Sequence, residues 1–167
     1  MTTYDALIAL KKFLEEEVAP TIELQREKTD QVEYVNPYVG IISLPHKNFM
    51  PVNFTVPYIL VGFSEGNEDD TENALTIRIQ CATYGGDVLF EQENNIPDEK
   101  GYLDLINLIE RIKNKLIDKA VVEKAGAINK PILYGVYDEE ITYPYWYGYL
   151  QFTLQIPINN RQIKEFL

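Results

Sequence analysis

A chain of 167 residues can hold a catalytic constellation, yet the residues here that could do chemistry are few. His46 is the only histidine; it stands between Pro45 and Lys47, with Ser43 close by. A histidine acting as general base needs a nucleophile within hydrogen-bond reach and an acid to orient it. Nothing beyond Ser43 supplies that set, so His46 reads as a solvated loop residue. Cys81 is the only cysteine, which excludes an intramolecular disulfide and a cysteine-based metal cage. Its position on the apolar side of an alternating segment suits a small hydrophobe and disfavours a thiolate. Glu68, Asp69 and Asp70 suggest calcium, but their spacing lacks the glycine pivot and the bidentate terminal acid of an EF-hand loop. Gly85-Gly86 signals a turn and lacks the lysine or following helix of a phosphate cradle. No catalytic, metal-ligating or cofactor-binding residue is assigned, no cofactor is expected, and the chain reads as something other than an enzyme.

Two segments stand out for recognition. In Tyr143-Pro144-Tyr145-Trp146-Tyr147-Gly148-Tyr149, five aromatic side chains gather around a proline and a glycine. Such residues give large contact area at low entropic cost and dominate protein interfaces, so Tyr143, Tyr145, Trp146, Tyr147 and Tyr149 are candidates for a subunit contact. A lid over the domain's own core is the equal alternative. Stacking on single-stranded nucleic acid is disfavoured, because the neighbouring Asp138, Glu139 and Glu140 are acidic where a binding groove is basic. The second segment holds Glu65, Glu68, Asp69, Asp70 and Glu72 without one Lys or Arg. Its plain reading is a solvated loop.

The elements that would position these segments follow from periodicity. Leu7, Leu10, Leu14 and Val18 recur at helical spacing, with Thr2 or Thr3 as cap and Pro20 past the end, which predicts an N-terminal helix within residues 1–20. Residues 21–56 are punctuated by Pro37, Pro45 and Pro51 and read as irregular, with one or two short strands around Val39, Ile41 and Ile42. Tyr58 to Phe63 looks like a strand buried on both faces. From Ala74 to Tyr84, Leu75, Ile77, Ile79 and Cys81 share one face and Thr76, Arg78 and Gln80 the other, so a hairpin with a long acidic loop is expected. Tyr102, Leu105, Ile106, Ile109, Ile112 and Leu116 form the strongest helical stripe, with an acidic start and a basic end that suit the helix dipole. A third strand runs from about Ile132 to Tyr137. The last runs from Gly148 to Ile156 with Leu150, Phe152, Leu154 and Ile156 on one face, ended by Pro157. The expected fold is one α+β domain over residues 1–167: a mostly antiparallel sheet of about four strands, two main helices on one face, a polar opposite face, a core over 57–157 and a mixed arm over 158–167. Phe166 in that arm joins the interface candidates.

The formal net charge is -11, from 26 acidic and 15 basic residues, so a phosphate backbone would be repelled on average and sequence-specific nucleic-acid binding is not expected. No apolar run approaches the ~18 residues of a membrane span, and the first residues lack the basic-then-apolar pattern of a secretion signal. A soluble protein in a reducing interior such as bacterial cytoplasm fits, with no membrane partner.

Two stretches carry a likeness to known proteins. They are Gly101-Tyr102-Leu103-Asp104-Leu105-Ile106-Asn107-Leu108-Ile109-Glu110-Arg111-Ile112 after Thr83-Tyr84, and Tyr143 to Tyr149 leading to Ile156-Pro157. With Pro57-Tyr58-Ile59-Leu60-Val61 they resemble, over about Pro57 to Pro157, the tail completion or tail terminator proteins of long-tailed phages and prophages of Gram-positive bacteria. The resemblance implies a compact α+β subunit that assembles as a homohexameric ring, ends tail-tube assembly and joins tail to head. Its partners would be further copies of itself, the tail tube protein and the head-tail connector protein. Its place would be the virion tail, after assembly in the host cytoplasm. It brings no catalytic residue. In such a ring the acidic side chains Glu65, Glu68, Asp69, Asp70 and Glu72 would lie near the channel or a rim. A neck protein completing the connector is an alternative, and so is a monomeric acidic inhibitor or DNA mimic acting on a host enzyme.

Overall fold

The computed structural model describes residues 2–27, 31–41, 56–85, 99–137 and 143–157. Helix α1 spans Thr3–Glu17 and starts at a reciprocal cap, in which Thr2 Oγ1 accepts the Asp5 amide N–H at 3.1 Å and the Asp5 carboxylate accepts the Thr2 N–H at 2.9 Å. The Thr2 N–H first, and then the Thr2 hydroxyl, which donates to the same carboxylate at 2.8 Å, hold the Asp5 carboxyl below the ordinary carboxylate range. The helix buries Ala6, Leu10, Phe13 and Leu14, so Phe13 takes an inward place that the expected stripe gave to Leu7. Pro20 sits in the 3-10 turn Ala19–Thr21 that follows.

Among the described residues the strands are β1 (Leu24–Gln25), β2 (Tyr34–Val35), β3 (Tyr38–Ile41), β4 (Tyr58–Glu68), β5 (Asn73–Tyr84), β6 (Val121–Val122), β7 (Gly126–Val136) and β8 (Tyr145–Ile156), with α2 over Lys100–Lys119. β1 and β2 form a small antiparallel sheet of their own. The main sheet has the order β3-β4-β5-β8-β7-β6, parallel between β3 and β4 and antiparallel elsewhere. The expected fold class is therefore corrected: the sheet is six-stranded and mixed, where about four mostly antiparallel strands were expected. The parallel pair runs in register from Tyr38 opposite Tyr58 to Ile41 opposite Val61.

Other boundaries move for local reasons. β7 begins at Gly126, because the ladder with β8 accommodates Lys130 and Pro131 in an irregularity between Asn129 and Leu133. Pro131 lacks an N–H and is tolerated there because, among the described residues, no strand pairs with the outer side of β7 beyond Ala127. The acidic stretch is not a long loop. Glu65 and Glu68 are strand residues of β4, and the turn to β5 holds only residues 69–72. In α2 the inward residues are Gly101, Leu105, Leu108, Ile109, Ile112 and Leu116, while Tyr102 is exposed. Its first turn carries no acid, so only the basic end, at Lys119, suits the dipole.

Both helices pack on one face of the sheet. There Ile59, Val61, Ile77, Ile79, Leu150 and Phe152 meet Leu10 and Leu14 of α1 and Leu105 and Ile112 of α2 in one buried cluster. Each such side chain contributes about 1.5–3 kcal/mol on removal from water. α1 touches β3 and β4 at one edge of the sheet and β6 at the other, so the two edge strands curl toward the same helix. The opposite face was expected to be polar, and half of it is not. Val56, Tyr58, Leu60 and Ala82 are buried there in a second cluster, with Tyr84, Tyr145 and Tyr147 packed against it.

Candidate functional site

Strand periodicity decides what the aromatic run can do. Because β8 starts at Tyr145, successive side chains alternate between the two faces: Tyr145, Tyr147 and Tyr149 point away from the helices and Trp146 and Gly148 toward them. Gly148 makes room for α2, since a Cβ there would stand 2.6 Å from Ile109 Cδ1 and 2.9 Å from the Gly135 carbonyl. Trp146 lies over the start of α2, its ring 5.5 Å from that of Tyr102 and 6.4 Å, edge-on, from that of Tyr143. The α2 backbone comes close here because Gly101 faces Gly85, and the Thr83 hydroxyl donates to the Gly101 carbonyl at 2.7 Å.

On the other face Tyr145 stands edge-on to Tyr84 at 5.3 Å and donates its hydroxyl proton to Glu27. Burial, and then that bond to Glu27, push the Tyr145 phenol above the ordinary tyrosine range. Burial raises Tyr147 in the same direction, with the Glu27 charge adding to it, and raises the fully buried Tyr58 strongly. Further along, Arg78 extends across the rings of Tyr149 and Tyr137, 5.3 and 5.8 Å from their centroids, and donates from Nη2 to the Tyr137 hydroxyl at 2.6 Å. Tyr143, Tyr145, Trp146, Tyr147 and Tyr149 are each half-buried against their own chain. What they offer to a neighbour is their outer half. Phe166 lies outside the described residues.

The acidic candidates gather at one end of the sheet. Among the described residues β3 pairs with β4 from Tyr58 to Val61, and Phe63 to Glu68 of β4 are exposed. Asp69 caps the turn: its Oδ1 accepts the Thr71 N–H at 2.7 Å, the Thr71 hydroxyl at 2.7 Å and the Glu72 N–H at 2.8 Å. The Thr71 hydroxyl first, then the two amides, hold its carboxyl below the ordinary range. Glu65, Glu68, Asp70 and Glu72 are exposed at the same end.

Cys81 is buried on the helix-facing side of β5, where desolvation pushes its thiol well above the normal value. Alkylation by iodoacetamide at pH 8 should therefore be undetectable in the native protein and rapid in denaturant, as followed by mass; equal rates in both would disprove the burial. His46 and Ser43 lie outside the described residues. Among the described residues no three His, Cys, Asp or Glu side chains gather as a metal site requires.

Sequence reasoning missed Glu27, Tyr58, Tyr84 and Tyr137 as parts of the aromatic face. Arg78 lies on the expected side of its strand, but its partners come from one other strand, β8, and from the residue that follows β7. No protein-family model and no curated protein matches the chain.

Proposed function

We propose that this protein is a structural subunit of a phage or prophage tail that closes the end of the tail tube as a ring of identical copies, ending tube assembly and joining tail to head. The observation that carries the reading is the acidic end of β4 and its turn, with Glu65, Glu68, Asp69, Asp70 and Glu72 exposed and no cation from Ser64 to Thr76. DNA leaving a capsid must slide through such a ring without adhering, and carboxylates at the channel or rim leave its phosphates unbound. The resemblance to tail terminators adds to this, because its three segments are the buried half of β4, helix α2 and strand β8. A ring of this kind uses heterologous contacts that close on themselves, for which half-buried aromatic side chains are suited.

Electron microscopy of phage particles made without this protein tests the reading. Tubes of uncontrolled length without heads are the expected result. Tails of normal length lacking heads would overturn tube termination in favour of a neck protein on the connector side, and intact particles would overturn both. Replacing Glu65, Glu68 and Asp70 together by lysine, which spares the turn cap at Asp69, tests the charge argument in the same particles.

A further inference from the structure

A groove of about 620 Å³ runs along the outer side of α1, closed on its far side by the end of α2 and the β6-β7 turn. The α1 residues that line it fall into two rows at four-residue steps, Tyr4-Ile8-Lys12-Glu16 and Asp5-Ala9-Phe13-Glu17. Rows of that step are the ridges that interdigitate in the commonest class of helix pairs. Phe13 is buried and Ala9 half-buried, so the second row forms the floor, while Tyr4 and Ile8 of the first stand over it 72% and 43% exposed. Exposed apolar side chains beside a concave apolar floor mark a docking surface. Charge narrows the choice of occupant. The chain has 26 acidic residues against 15 basic, yet the groove is almost balanced, with Asp5, Glu16, Glu17 and Glu123 against Lys12, Lys119 and Lys124. Two copies of an acidic protein repel each other least at such a place.

The first row also complements itself when reversed. Laid antiparallel with Ile8 on the Ile8 of a second copy, it sets each Tyr4 level with the other copy's Lys12, which makes two cation–π pairs by one symmetry operation. Lys12 can turn to such a ring, because its side chain is 72% exposed and its ion pair with Glu16 is long, at 3.9 Å. The same arrangement answers an imbalance within α1. Its last turn carries Glu15, Glu16 and Glu17 and no basic residue, which its own dipole disfavours. An antiparallel second helix brings the positive end of its dipole to those carboxylates. We infer that this groove is the seat of α1 from a second copy of the chain, in a two-fold dimer with Ile8 at its axis. Each Tyr4 then enters the other copy's groove between Phe13 and Val122. The fifteen-residue helix is about 22 Å long, and two faces of that size make a contact of the small, reversible class. A two-fold contact is isologous and separate from the heterologous contacts of a ring, so the inference does not rest on the tail reading.

Sedimentation of the full-length chain over a range of concentrations tests it. A reversible equilibrium between monomer and dimer is expected, and Ile8→Glu, which sets two carboxylates against each other at the axis, should weaken it by about tenfold or more. Tyr4→Ala should weaken it too. Neither side chain belongs to the buried core, so circular dichroism should show both variants folded. A wild-type chain that stays monomeric at the highest concentration attainable would overturn the inference and give the groove to a partner of another kind. A dimer or larger assembly as stable in Ile8→Glu as in the wild type would also overturn it, by placing the contact elsewhere. Cross-linking fixes the geometry, since buried Cys81 does not compete. Ile8→Cys alone should oxidise to a bridged dimer much faster than Leu133→Cys, whose site is 54% exposed on β7, a strand that does not line the groove. Equal rates for the two would refute the axis at Ile8.

Discussion

Gly85→Ala should destabilise the protein by about 3 kcal/mol, the upper part of the range for forcing an extra carbon into a filled space. A Cβ at Gly85 would stand 2.3 Å from both N and Cα of Gly101. Those are backbone atoms of the first turn of α2, so no rotamer change relieves the clash; the helix itself must shift. The same junction constrains the other side, for a Cβ at Gly101 would meet Trp146 Cδ1 at 2.5 Å and Gly85 Cα at 2.8 Å. Gly101→Ala should cost less, since alanine in a helix regains about 1 kcal/mol over glycine. Trp146 is the only tryptophan, so its fluorescence reports the junction directly. A lower urea midpoint with a red-shifted native emission is expected for Gly85→Ala; wild-type values of both would show that the helix start and the end of β5 are not in contact.

Phe152→Ala should have the largest effect of any single truncation, about 3 to 5 kcal/mol. Phe152 is 2% exposed, stands opposite Ile77 at the centre of the sheet and faces the helices, so its removal leaves a cavity bounded by fixed strands. For a chain of this size that is a fall of roughly 10 to 15 °C in Tm. Phe63→Ala makes the internal control. Phe63 also lies opposite Ile77, across the other side of β5, but it is 45% exposed just before the irregularity in β4. Its truncation should cost no more than about 1 kcal/mol. Thermal unfolding followed by circular dichroism separates the two, and equal losses would refute the burial pattern.

The parts of the fold legible in the sequence are those where one physical signal acts alone. Leu75, Ile77, Ile79 and Cys81 alternate with polar residues and are buried, as are Leu150, Phe152, Leu154 and Ile156. The run Tyr58 to Val61 is apolar throughout because both of its faces are covered. Where both faces of a strand are aromatic, alternation disappears from the sequence; that is why β8 starts three residues before the expected Gly148. Lys130-Pro131 imitates a break inside β7. β3 and β6 are too short to carry any period, and they turn the expected four strands into six. In helix α2 Leu105, Ile109, Ile112 and Leu116 of the expected stripe are buried, while Tyr102 and Ile106 flank it and Gly101 and Leu108 complete it. Of the candidate site, the acidic residues were legible as a group, but not that Glu65 and Glu68 belong to a strand. The aromatic residues were legible as a cluster but not as two sets on opposite faces. Their division depends on where the strand begins, and Glu27 reaches Tyr145 from 118 positions away.

The order of strands carries a last consequence. Among the described residues β8 is the last strand in the chain, yet it lies between β5 and β7 and makes the long ladders with both. A ribosome must therefore release Tyr145 to Ile156 before the sheet has its centre. Until then the apolar sides of β5 and α2 have no partner strand to complete their core. Pairing across such distances makes folding slow and leaves the nascent chain open to aggregation. The protein should thus become soluble late in its own synthesis, and chains cut short before Ile156 are expected to be substrates for chaperones and proteases.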